Sequence, residues 1–166
     1  MGAAAKLNPQ HPFLDRDVIL SLANGVTETL QTMSATTTTF EKPFVASDWK
    51  TPCPIAVYLE LHSDPFKGQV RFHFEASVAK GIIERMLGSK IDNLDYTELL
   101  DGVGEISNIF FGLTKTKLNN IGFKLTMSTP HPCLSKDLPA VEGQPTYLII
   151  PFKVDQTLCF IEMILF

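Results

Sequence analysis

Residues 99–118 carry the side chains in this sequence best placed to do chemistry. On a helix turning about 100° per residue, Asp101, Glu105, Asn108, Gly112 and Lys115 fall within about 80° of one another. Leu99, Val103, Ile106, Phe110 and Leu113 gather on the opposite side, where a core is expected. A carboxylate and a carboxamide therefore stand one turn apart, flanked by a second acid and a glycine. A carboxylate accepts charge-assisted hydrogen bonds, whereas a carboxamide donates and accepts without net charge. Two readings are open. Most polar stripes on amphipathic helices are simply solvated. Against that, Gly102, Gly104 and Gly112 each cost about 1 kcal/mol relative to Ala, and Asp and Asn are indifferent helix formers. A helix built only for stability would avoid them, while small residues beside the polar pair would let another protein's backbone come close.

Other chemistries find less support. No serine or cysteine has the context of an activated nucleophile such as GxSxG. Cys53, Cys133 and Cys159 are widely spaced and odd in number, which suits reduced, mostly buried thiols better than a disulfide framework. No CxxC occurs, and His131-Pro132-Cys133 lacks a second ligand pair at zinc spacing, so no metal site is expected. Gly102-Val103-Gly104 lies inside a helix pattern and follows no strand, so it is not a dinucleotide fingerprint. His11, His62, His73 and His131 are expected in surface or structural roles.

The elements that must position the polar pair follow from periodicity. Ile19, Leu22, Val26, Leu30 and Met33 predict a helix over residues 15–33. The β-branched run 35–40 predicts a strand, and Pro43 and residues 47–54, with Trp49, a loop. Strands are expected at 55–61 and 69–74, joined by a hairpin-like turn at 63–68. In the second, Val70, Phe72 and Phe74 alternate with Gln69, Arg71 and His73, predicting one buried and one wet face. Val78 to Leu87 show helical spacing closed by Gly88, and Asp95 with Glu98 forms a capping-box pattern opening a helix to about Leu118. Three more strand-like runs follow at 122–129, 146–154 and 157–166, with a Pro-rich loop between the first two. Helix, three strands, two helices, three strands implies an α+β domain with a mainly antiparallel six-stranded sheet. Residues 1–14 are expected to be a flexible segment ahead of a single domain at 15–166.

Composition narrows the setting. Of 166 residues, 45% are apolar and 19% charged, which is globular, and the formal charge of −4 lacks the basic footprint of a nucleic-acid or anionic-membrane binder. The N-terminus is too weakly apolar for a signal peptide, Lys6 breaks a myristoylation pattern, and no apolar run spans a bilayer. A cytoplasmic, soluble protein with a protein partner is expected.

The segment from Leu100 to Leu118 resembles the signature helix of the CheC/CheX/FliY chemotaxis phosphatases. That motif is an acid, three residues, Glu, two residues, Asn and a later proline. Asp101, Glu105 and Asn108 match the first three positions, and Pro130 or Pro132 the last. Gly68-Gln69-Val70-Arg71-Phe72-His73-Phe74, the helix after it, and Tyr147-Leu148-Ile149-Ile150-Pro151-Phe152 are also similar to the family. CheC-like members carry two motif copies and the switch protein FliM lacks functional ones. The single Glu-x-x-Asn pair here points to the CheX subtype.

The resemblance implies a phosphatase acting on the aspartyl phosphate of a CheY-like response regulator. Asn108 would position the attacking water, as a glutamine does in GTPases. Glu105 would pair with the regulator's active-site lysine, with Asp101 and Gly112 in the contact surface. Mg²⁺ would belong to the regulator, this chain having no cofactor of its own. A homodimer joined through sheet edges is also implied. Two alternatives stand beside it: a non-catalytic receiver-binding adaptor or flagellar-switch relative, and a structural dimer whose exposed helix contacts an unrelated protein.

Overall fold

A computed structural model describes residues 12–63 and 66–166. The fold is an antiparallel sheet covered on one face by three helices. A 3₁₀ turn at Pro12–Leu14 lies ahead of residue 15 and buries Phe13 completely. Residues 1–11, with His11, lie outside the described residues, as do Asp64 and Pro65 of the expected hairpin turn.

Helix α1 (Arg16–Ser34) is opened by Asp15, whose side chain accepts from the Asp17 amide at 2.7 Å. Short β1 (Thr38–Phe40) and β2 (Phe44–Ala46) follow, then the hairpin of β3 (Ile55–Ser63) and β4 (Phe66–Phe74). Helix α2 (Ala76–Leu87) ends on Gly88 in the left-handed conformation, which costs glycine little. Helix α3 (Tyr96–Asn120) starts with the full reciprocal capping box of Asp95 and Glu98. Then come β5 (Thr126–Met127), β6 (His131–Leu134), and the hairpin of β7 (Thr146–Val154) and β8 (Thr157–Leu165).

The sheet has eight strands where six were expected, and the two extra ones have a clear origin. Six lanes run in the order β1 and β2, β7, β8, β4, β3, then β5 and β6. Each outer lane is broken into two short pieces. β1 pairs with residues 152–154 of β7 and β2 with 147–149. β5 and β6 likewise share β3. The strand expected at 122–129 is thus only Thr126–Met127, and part of the Pro-rich loop is a strand. Pro132 fits there because an outer strand leaves one side unpaired.

Alternate residues of the four long strands form one core with the helices: Val57 and Leu59 of β3, Phe72 of β4, Phe152 of β7, Ile161 of β8, and Val26, Ile82 and Phe110 from the three helices. Burying one such side chain stabilises by roughly 1.5–3 kcal/mol. The Gln69, Arg71 and His73 side of β4, on the opposite sheet face, was expected to be wet. Instead Gln69, Arg71, His73 and Glu162 are buried on it, because residues 47–54 and 135–141 fold across it.

Candidate active site on helix α3

Two packing contacts fix the position of α3. Gly102 abuts α2, where a Cβ would lie 2.8 Å from Ile83 Cγ1, and Gly104 abuts β6, where a Cβ would lie 3.2 Å from Pro132 Cγ. These two glycines therefore have an internal packing reason, apart from the room they were expected to leave for a partner's backbone. Gly112 differs: nothing lies within 4 Å of its missing Cβ. Its helix penalty of about 1 kcal/mol has no return inside the chain.

The buried arc of α3 is also rotated from the expected one. Ser107, Phe111, Thr114 and Leu118 are buried, and Leu113 is 37% exposed. The cause is α1, which approaches so closely at Gly25 that a Cβ there would overlap Thr114 Oγ1.

Asp101, Glu105, Asn108 and Gly112 are all exposed along the outer face, and Lys115 is half-buried beside them. Residues three and four apart on a helix have Cβ atoms about 5–6 Å apart, so Glu105 neighbours both Asp101 and Asn108. None of the three polar side chains makes a hydrogen bond or ion pair among the described residues. Two carboxylates at i and i+4 without a counter-cation repel by roughly 0.2–0.5 kcal/mol. The stripe is thus mildly unfavourable in the isolated chain and complementary to a cation brought by a partner.

Between α3 and the β5–β6 lane lie two adjoining hollows. One, of about 390 Å³, is lined by Asp101, Gly104, Glu105, Asn108, Pro130 and Pro132. The other, of about 260 Å³, is lined by Asn108, Gly112, Lys115 and the 127–130 turn. Asn108 and Pro130 border both. Pro132 packs on Gly104, so the two prolines hold different places. Thr129 also borders both hollows; sequence reasoning did not find it, since only the pairing of β5 and β6 with β3 brings the 127–130 turn to α3.

The remaining polar candidates separate from this stripe. His62 is exposed on β3, and His131 stacks on Tyr58 with ring centroids 5.2 Å apart. His73 is fully buried behind the sheet, bonded to Glu162. Burial pushes the Cys53 and Cys159 thiols up to about 12, so neither is a thiolate nucleophile near neutrality. Among the described residues no group of three or more His, Cys, Asp or Glu converges to hold a metal ion, and no helix is long and apolar enough to cross a membrane.

An arrangement of an exposed carboxylate, a carboxamide and a clearance at Gly112 on one rigid helix can insert side chains into a partner's cavity. It contains no covalent nucleophile. The sequence model described as chemotaxis phosphatase CheX matches residues 55–153. No curated protein sequence matches the chain. Among solved structures, a CheC-like superfamily protein from Shewanella sp. PV-4 is 25% identical with a TM-score of 0.80, covering 92% of this chain and 99% of that one. The chemotaxis protein CheX from Vibrio vulnificus is 24% identical with a TM-score of 0.78, covering 90% and 99%. CheX in the CheX–CheY–BeF₃–Mg²⁺ complex from Borrelia burgdorferi is 18% identical with a TM-score of 0.70, covering 91% and 99%.

Proposed function

The chain belongs to the CheX family of chemotaxis phosphatases, and from that membership we propose that it hydrolyses the aspartyl phosphate of a CheY-like response regulator. Asn108 holds the attacking water and Glu105 docks on the regulator's active-site lysine. The observation that carries this reading is the state of Asn108: exposed, without a partner among the described residues, and bordering both hollows one turn from Glu105. The crystallised complex of a Borrelia CheX with CheY supports a receiver domain as the partner.

The chemistry suits a carboxamide. Phosphoryl transfer proceeds through a loose transition state, so catalysis consists mainly of positioning water in line and placing charge. An amide orients that water without adding negative charge beside the phosphoryl group, where a carboxylate would repel it. Glu105, one turn earlier, fixes register through a charge-assisted hydrogen bond to a lysine. Asp101 adds to the attraction for that cation, and Gly112 gives the partner's backbone room to approach. Mg²⁺ belongs to the regulator's acidic pocket and supplies charge neutralisation there. The protein acts in the cytoplasm and as a homodimer joined at a sheet edge. The exposed Phe44 and Val45 on outer strand β2 support an edge contact.

The test is the decay of a phosphorylated receiver domain from the same organism, with and without catalytic amounts of the protein. Accelerated decay that disappears in Asn108→Ala supports the reading. Tight binding without acceleration would replace it with the adaptor.

A further inference from the structure

On the helix-free side of the sheet, the loops over residues 47–54 and 135–141 enclose a second polar hollow of about 500 Å³. This lies within the range of small-molecule sites, about 300–1,000 Å³. Its walls are tied together. Ser135 donates to the carbonyls of Pro54 at 2.8 Å and Cys53 at 2.6 Å, and Arg71 Nη2 donates to the Pro139 carbonyl at 2.8 Å. We propose that this hollow binds a small hydroxycarboxylate, its carboxylate held by Arg71, Lys50 and Lys136 and its hydroxyl donating to His73.

The argument begins with charge. Arg71, Lys50 and Lys136 line the hollow against one carboxylate, Glu162, in a chain whose formal charge is −4. Among the lining side chains the sign is opposite to that of the whole chain and favours an anion. Arg71 is 7% exposed and has spare capacity. A guanidinium carries five N–H groups. Nε donates to Gln69 and Nη2 to Pro139, while Nη1 stands 3.9 Å from Glu162 Oε2 without a hydrogen bond.

His73 supplies the second requirement. Its Nε2 lies 2.7 Å from the same Glu162 oxygen, and a carboxylate facing a guanidinium can only accept. Nε2 therefore carries the proton and Nδ1 is a bare lone pair. Nδ1 is buried without a partner among the described residues, although His73 lines the hollow. An unmet buried acceptor is destabilising, and a donor O–H beside the anion would offset that cost.

Trp49, the chain's only tryptophan, lines the hollow edge-on to His73, with ring centroids 5.5 Å apart. Its fluorescence in the full-length protein is the readout, independent of any phosphatase activity. Titration with L-malate is expected to give a saturable change with Kd below about 1 mM. Succinate, lacking the hydroxyl, binds at least about tenfold more weakly because Nδ1 stays unmet. Lys50→Ser/Lys136→Ser, changing two exposed side chains, weakens malate about tenfold. His73→Phe, with folding checked by circular dichroism, brings malate to the affinity of succinate. No saturable change up to about 10 mM malate, or unaltered binding by the double lysine variant, overturns the proposal. Equal binding of malate and succinate by the wild type overturns the role given to His73.

Discussion

Pro132 of β6 lies against Gly104 of α3, on the turn that also carries Glu105, and a Cβ at residue 104 would stand 3.2 Å from its Cγ. The outer lane of the sheet thereby sets where the carboxylate stands. Gly104→Val is expected to lose about 1–3 kcal/mol by overpacking this contact, read as a lower urea midpoint at unchanged slope. Receiver dephosphorylation by the folded variant falls as well, because α3 is displaced from β6.

Asn108→Ala removes an exposed side chain with no partner among the described residues, so its melting temperature should match the wild type. Its phosphatase rate should drop about 100–1,000-fold, the usual loss when one positioned polar group is removed. Receiver binding, measured by calorimetry with a beryllofluoride-loaded receiver, stays intact. Glu105→Ala instead weakens both affinity and rate. Equal rates for wild type and Asn108→Ala would remove Asn108 from the mechanism.

Gly112 permits two opposite changes at one position. Gly112→Ala should stabilise the free protein by about 0.5–1 kcal/mol, since nothing lies near the added methyl. Gly112→Trp should leave the fold intact and weaken receiver binding at least about tenfold. Unchanged binding by the tryptophan variant would show that the partner does not approach this turn.

Burial lowers the pKa of His73 below its ordinary 6.5, only partly opposed by the bond to Glu162. Between that lowered value and 6.5 the unfolded chain binds more protons than the folded one, so stability rises with pH. The contribution is complete above 6.5 and declines as the pH falls below it, by at most about 1.4 kcal/mol per pH unit. Urea denaturation at pH 7.5 and 5.5 reads the slope. His73→Gln, whose amide can still donate to Glu162, should flatten it.

Local signals are legible in the chain. Asp95 and Glu98 form the capping box that their spacing implied, Gly88 caps α2, and the polar side of α3 is exposed at Asp101, Glu105 and Asn108. What the chain does not show locally depends on a distant partner. β2 and β6 have three and four residues and exist only because β7 and β3 pair with them. Leu113 is exposed because α1 draws Thr114 inward at Gly25, and Gly102 is small because Ile83 occupies its Cβ space. Arg71 and His73 alternate like residues of a wet face and are buried by loops whose course no periodicity encodes.

The broken outer lanes have a consequence for the protein in a crowded cell. A long straight rim is a template on which further chains can add strand by strand. Here the rims consist of pieces of three residues each at β1 and β2, and of two and four at β5 and β6, with Pro132 unable to donate in the longest. Such a rim can accept one short complementary strand but gives a growing fibril no continuous ladder, so the sheet resists runaway polymerisation while still permitting a closed pair.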